Sequence, residues 1–415
     1  MTDPNSPRPG ANGPLQGLRV FDITRILAGP SCTQFLGDLG ADVIKVERPG
    51  HGDDTRSWGP PFLKDEDGND TTESAYFLSA NRNKRSLTID FTRPEGQELA
   101  RRLIAKCDIL IENFKVGSLA KYGLDYATLA KEFPSLIYCS ITGFGQTGPY
   151  AKRAGYDFLA QGMGGVMSIT GETHGTPQKV GIAIADMMCG LHGAIAILAA
   201  LHHREVTGEG QMIDLSLLDS QAASLSYMGM FYLITGENPP RIGNGHPCIV
   251  PYTVVPTSDG LVILAAGNDE QFARFCDFAG VPELAENEKF STNQGRIVNR
   301  DELTALIEEI TAKQPSEHWL EGLEKINVPC GPVNNVDEVF ADPQVKARGI
   351  EIAMNHPAAG TEPVHFMACP MAMSATPPTY RNPPPMLGQH TDEVLEEILA
   401  LGADEIAGLR DKGLI

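Results

Sequence analysis

Residues 18–47 read LRVFDITRILAGPSCTQFLGDLGADVIKVE. Two short apolar runs, 18–23 and 42–47, bracket a stretch opened by Gly29-Pro30. In that stretch Phe35, Leu36 and Leu39 fall at helical spacing. Strand, helix and strand in so short a span make a βαβ unit, and such a crossover joins parallel strands. The expected fold class is therefore α/β with a parallel sheet.

The alternation continues outward. Residues 86–91 (SLTIDF) read as a strand, 94–107 as a helix with Pro94 in its first turn, and 108–113 (DILIEN) as a strand. A helix over 126–132 and a strand over 135–142 (SLIYCSIT) complete the doubly wound pattern. Beyond 155 the texture turns helical, over 156–169, 186–203 and 212–235. From about 250 to 330 lies a block of another kind, with strands at 252–256 and 261–266 and helices near 269–279, 300–313 and 316–325. It reads as a smaller α+β unit inserted before the chain returns, through Pro332, Pro343 and the proline-rich 377–385, to two amphipathic helices after Thr391. The expected domains are a disordered leader over 1–16, a large domain over 17–220 that resumes over 331–415, and a small domain with its linkers over 221–330.

The chain carries 33 basic and 53 acidic residues among 415, a formal charge of −20. That field repels nucleic acid and anionic membrane surfaces, so neither is an expected partner. An anionic ligand must be held by basic groups working locally. The central apolar run 189–201, free of charge and proline, is 13 residues, short of the ~20 that a membrane span requires. The first 14 residues lack an apolar stretch and are expected to be a leader rather than a signal peptide, which points to the cytoplasm. Eight cysteines without CxxC spacing fit reduced thiols better than disulfides or a zinc site. No metal is expected.

Gly143-Phe144-Gly145-Gln146-Thr147-Gly148 fits GxGxxG after a predicted strand. A dinucleotide site also needs a helix opening inside the motif, and Pro149-Tyr150 follows instead, so the stretch reads as a turn. HExxH and GxSxG are both absent, which leaves zinc hydrolysis and a serine triad without anchors. Asp186 lies between six mostly apolar residues and a long apolar stretch, near a helix start. It fits an N-cap, and it equally fits a nucleophile: a carboxylate with the ordinary pKa of ~3.9 is ionised at neutral pH and needs no partner base. The loop Arg241-Ile242-Gly243-Asn244-Gly245-His246-Pro247 has two glycines that permit close approach and movement. It fits a lid and also a plain surface turn.

Eight ordered blocks carry a resemblance. They are GLRVFDITRILAGPSCTQFLGDLGADVIKVERPGHGDDTR (17–56), NRNKRSLTIDF (81–91), ENFKVGSLAKYGLDY (112–126), SITGFGQTGPY (140–150), GIAIADMMCGLHGAIAILAAL (181–201), TGEGQMIDLSLLD (207–219), PCGPVNNVDEVFADPQV (329–345) and PPPMLGQHTDEVL (383–395). Together they resemble the class III CoA-transferases, the CaiB/BaiF family. GNGHPCIVPY (243–252) is most similar to the branch that moves CoA between succinyl-CoA and dicarboxylates such as hydroxymethylglutarate.

The resemblance implies a Rossmann-like large domain with a smaller inserted domain, and two subunits interlocked as a homodimer. It implies coenzyme A as co-substrate, acyl-CoA and carboxylic acid substrates, and Asp186 as the nucleophile that passes through an anhydride and an aspartyl-CoA thioester. Contacts to CoA are implied at Arg25, Ile26, Leu27 and Arg48, at Ile89, Asp90, Phe91 and Thr92, and at Asn113, Phe114, Lys115 and Lys121. Arg153, Ala154, Gly155, Tyr156 and Asp157 are implied to border the CoA and acyl pocket. Gly243, Asn244, Gly245 and His246 correspond to a mobile glycine loop, with Arg241 and His246 as candidates for a distal carboxylate. Formyl-CoA:oxalate and carnitine-type transfer are the alternatives within the family. A racemase of the same fold would need a histidine where this chain has Tyr156, and a phenol is a poor base at neutral pH. A CoA-binding protein without catalysis is the remaining alternative.

Overall fold

The computed structural model describes residues 13–415. By internal packing the chain divides into two compact units. The larger holds the described residues up to Val166, Val180–Met230 and Lys346–Ile415; the smaller holds Met167–Lys179 and Phe231–Val345.

The larger unit is built on six parallel strands: β1 (Arg19–Asp22), β2 (Asp42–Glu47), β3 (Lys84–Thr88), β4 (Ile109–Glu112), β5 (Ile137–Thr142) and β6 (Met212–Ser216). Their spatial order is β3-β2-β1-β4-β5-β6. The order reverses between β1 and β4, which is the Rossmann-like arrangement. Successive side chains go to opposite faces. Val20, Val43, Ile109, Ile111 and Ile137 pack on one face with α1 (Ala28–Asp38). Phe21, Ile44, Leu87, Leu110 and Tyr138 pack on the other, with the helices Pro94–Ile104 and Thr391–Leu399. The C-terminal return is thus part of this core.

Two further helices matter for the site. They are α2 (Asp157–Met163) and α3 (Ile184–Thr207). Among the described residues α3 is the one helix long and apolar enough to cross a membrane by length and composition, and half of its most apolar window is buried. It packs on α1, β5 and β6. The close approach needs glycine, because a Cβ on Gly190 would stand 2.7 Å from the Ala28 carbonyl oxygen.

Three expectations give way. Residues 212–216, expected to be helical, form β6: Met212 to Ser216 pair with Tyr138 to Thr142, and the helix begins only where the Ser216 hydroxyl accepts from the Asp219 N–H at 2.9 Å. The third strand starts two residues earlier than expected and stops at Thr88. Of the leader, residues 1–12 lie outside the described residues, while Leu15 is buried and its N–H donates to the Leu39 carbonyl at 2.9 Å. Two hairpins were not foreseen, Phe62–Lys64 with Asp70–Ser74 and Glu351–Met354 with Val364–Met367.

The smaller unit has an antiparallel sheet ordered Cys330–Pro332, Leu261–Ala265, Tyr252–Pro256. Phe272, Phe275, Leu303, Ile307, Trp319 and Leu323 fill its core. It takes in Met167–Lys179, a stretch expected in the large domain, because the Arg241 guanidinium donates to the carbonyls of Ser168, Glu172 and Gly175.

Candidate active site

At the carboxyl ends of β1, β4 and β5 the larger unit opens a cleft of about 550 Å³. The reversal of strand order there is where α/β sheets accept ligands. The wall comprises Arg25, Ile26 and Ala28 after β1, Asn113, Phe114 and Lys115 after β4, and Gly143 with Ala151 and Arg153 to Asp157 after β5; Asp186 also lines it. A second cleft of about 490 Å³ has Arg25, Asp54, Phe114 and Lys115 in common with the first. Arg48, Ile89 to Thr92 and Lys121 line it. The residues assigned by resemblance in this unit therefore converge, except Leu27, which lines neither cleft and gives its carbonyl to the Ser31 N–H at 2.8 Å.

Asp186 is the third residue of α3 and is 7% exposed. Its pKa is pushed up to about 7, first by burial and then by the charge of Asp157. The expectation of an ordinary, fully ionised carboxylate is corrected here. A helix N-terminus favours the anion by only ~0.3–1 kcal/mol, too little to offset loss of water and a like charge.

Asp186 is not the cap of its own helix. Asp157 Oδ1 accepts from the Ala185 N–H at 2.9 Å and the Asp186 N–H at 3.4 Å, and Gln161 Nε2 donates to Asp157 Oδ2 at 2.7 Å. The same glutamine accepts from the Val180 N–H at 2.9 Å. One carboxylate on α2 thus anchors the start of α3 and raises the proton affinity of its neighbour. The loops that bring these helices together meet at Gly143 and Gly155, where a Cβ on Gly143 would lie 2.4 Å from the Gly155 Cα. The GxGxxG stretch is a turn, with no helix until Asp157.

Basic groups face the clefts. The Arg153 guanidinium stacks 4.6 Å from the Tyr150 ring and 5.3 Å from that of Phe144. Lys121 Nζ lies 4.6 Å from the Tyr122 ring. Arg48, Lys115, Lys121 and Arg153 are exposed and give the clefts local positive charge in a chain of −20. Phe91 meets Phe114 and Tyr122 edge-on at 5.9 and 5.6 Å, an aromatic patch suited to a base or an alkyl chain. Among the described residues no three His, Cys, Asp or Glu side chains converge as a metal site would.

Gly243 to His246 belong to the smaller unit. Gly243 has φ +59° and donates its N–H to the Gly171 carbonyl at 3.1 Å; His246 Nδ1 accepts from the Cys248 N–H at 3.1 Å. Arg241, offered for a distal carboxylate, has its guanidinium committed to three main-chain carbonyls.

Several residues escaped the sequence reading. Trp58 lines the first cleft, and His51 and Tyr122 the second. The Tyr76 phenol is pushed up to about 12 by burial and then by Asp186, Asp157 and Asp53. Glu112, pushed up to about 7 by burial, accepts the Phe114 N–H at 2.7 Å and so shapes the 113–115 loop. A carboxylate closing a strand was the one available signal.

Comparison with known proteins agrees with this geometry. The profile of the CoA-transferase family III matches residues 15–391. A succinate–glutarate CoA-transferase of Agrobacterium fabrum is 50% identical over 398 residues, covering 96% of this chain and 98% of that protein. The human succinyl-CoA:glutarate CoA-transferase is 44% identical over 402 residues, covering 97% and 90%. The crystal structure of a CaiB/BaiF family protein from Brucella suis superposes with a TM-score of 0.83 at 51% identity, covering 93% of this chain and 100% of that one. With its strand order, its paired clefts and these matches over nearly its whole length, the chain belongs to the CoA-transferase family III, and it is a CoA-transferase that uses acyl-CoA as co-substrate.

Proposed function

We propose that this enzyme moves CoA from succinyl-CoA to a dicarboxylate of about the size of glutarate, with Asp186 as nucleophile. The two relatives named above act on succinate or succinyl-CoA and glutarate. The observation that carries the mechanism is a single buried carboxylate facing a cleft whose neighbour is lined by Arg48, Lys115 and Lys121. Those cations suit the phosphates of CoA, and Phe91, Phe114 and Tyr122 suit its apolar portions.

The Asp186 carboxylate attacks the thioester carbonyl, the C–S bond breaks, and CoA leaves as thiolate. The thiolate attacks the aspartyl carbonyl of the mixed anhydride, releasing succinate and forming the aspartyl-CoA thioester. The acceptor carboxylate displaces the thiolate to form a second anhydride. The thiolate then takes the new acyl group and restores Asp186. Water takes no part, and exclusion of it protects both anhydrides. Cys189, one turn further along α3, makes a poor rival because burial pushes its thiol up to about 12.

A homodimer is part of the proposal. Phe158, Leu159 and Met163 on α2 and Leu191, Ile195 and Leu198 on α3 are exposed, six apolar side chains on two helices in contact, of the kind that a subunit interface covers. Eight unpaired thiols suit a reducing cytoplasm. The test is to add succinyl-CoA alone, trap with hydroxylamine and map the protein by mass spectrometry. A hydroxamate at Asp186 is expected; adducts on a cysteine, or none on Asp186, would refute the mechanism.

A further inference from the structure

The loop after β1 contains a backbone outlier. Ile26 has φ +73°, and of the five described non-glycine residues with positive φ it alone is β-branched. Such a side chain strongly disfavours the left-handed region, and it stays there only where its surroundings over-determine it. Ile26 also lines the Asp186 cleft.

The restraint is visible. The Ile26 N–H donates to Asp53 Oδ1 at 3.1 Å, an oxygen that also accepts from the Thr55 N–H at 3.0 Å. Asp53 Oδ2 accepts from Lys45 Nζ at 2.9 Å, and both side chains are 0% exposed. Lys45 Nζ donates as well to the Thr24 carbonyl at 3.0 Å, just ahead of the loop. The adjacent Arg25 is held from another side, its N–H donating to Asn113 Oδ1 at 3.0 Å and its carbonyl accepting from Asn113 Nδ2 at 2.6 Å. A buried ion pair is weak as a general source of stability. Here it ends on the amide of a strained residue in the cleft wall.

We infer that Asp53, backed by Lys45, is a positioning residue for CoA transfer, holding Ile26 in the left-handed conformation that shapes the Asp186 cleft. This rests on the reading that transfer takes place at Asp186. Lys45→Met/Asp53→Ala removes the pair as a unit, stranding no charge, and deletes the acceptor for Ile26. Its kcat/KM for succinyl-CoA should fall by about 10²-fold, mostly in kcat, the scale expected when a reacting geometry slips by an ångström. Adding Ile26→Gly to that variant should recover about tenfold, since glycine adopts this φ without strain, while leaving the lowered melting temperature uncorrected.

A merely structural Asp53 would lower the melting temperature with no recovery of activity by glycine, and that outcome overturns the inference, as does wild-type kcat/KM in the double variant. Should the double variant not fold, Ile26→Pro keeps the ion pair but forces φ near −65°, and the same loss in kcat is expected; full activity there overturns the inference too. Asp186→Ala in the otherwise unaltered enzyme separates the two readings. If it transfers CoA at full speed, the site assignment fails; if it is inactive while glycine recovers nothing, only the role of Asp53 fails.

Discussion

Replacing Asp186 by asparagine should stabilise the protein, and more at pH 8 than at pH 5. Asp186 is 7% exposed, and its pKa is pushed from 3.8 up to about 7, by burial first and Asp157 second. A raised carboxyl pKa means that the native state binds the proton more tightly than the unfolded chain does. Stability is therefore lost as pH rises from 3.8 to about 7 and is level above. At ~1.4 kcal/mol per pH unit the whole loss is at most ~4 kcal/mol, of which ~1.6 kcal/mol is already gone at pH 5. Between pH 5 and pH 8 the wild-type protein should lose ~2–3 kcal/mol that the Asp186→Asn variant keeps. At ~2 °C per kcal/mol for a large domain, the gap in melting temperature should widen by roughly 5 °C. Thermal melts of both proteins at both pH values measure it, and comparing the gaps cancels the titrations that are not coupled to Asp186. A gap that is equal at the two pH values, or narrower at pH 8, would refute the buried-carboxyl argument.

Acyl capture by Asp186, as proposed above, requires its anion, so the single-turnover rate with succinyl-CoA should rise about tenfold from pH 6 to pH 8. Asp157→Asn removes the second cause of the raised pKa but keeps an oxygen for the Ala185 N–H, so the midpoint should move to lower pH; an unmoved midpoint would exclude the like-charge effect. Gly143→Ala places a Cβ 2.4 Å from the Gly155 Cα. The loops must part there, and activity should fall by about 10²-fold with a lowered melting temperature; wild-type rates would show that the approach is dispensable.

Much of the larger unit is legible in sequence because its strands are buried on both faces. The runs at 18–23 and 42–47 carry Leu18, Val20, Phe21 and Ile23 and then Val43, Ile44 and Val46, and the structure places strands at Arg19–Asp22 and Asp42–Glu47. β6 is not legible in the same way. MIDLS carries an aspartate and a serine and runs straight into LLDSQAA, so one apolar texture covers an edge strand and the helix after it. The start signal lies inside the run, in Ser216 and Asp219 three residues apart, and only the pairing with β5 gives it meaning.

The site divides along the same line between local and tertiary causes. That Asp186 stands near a helix start can be read from the residues around it, because apolar texture and helix length are local. Its proton affinity cannot be, because burial and the charge of Asp157, 29 residues away along the chain, exist only once α2 and α3 have met. The same holds for Ile26. TRIL contains no glycine to announce a left-handed turn, and Asp53 reads as an ordinary polar loop residue until Lys45 is seen buried behind it. Both carboxylates owe their properties to placement: Asp53 is held below the usual range, burial opposing and Lys45 prevailing, whereas Asp186 has burial and a like charge acting together. Two aspartates of one chain are thus driven in opposite directions, one to remain an anion bonded to the Ile26 amide, the other to exchange its proton near neutrality in the wall of the cleft.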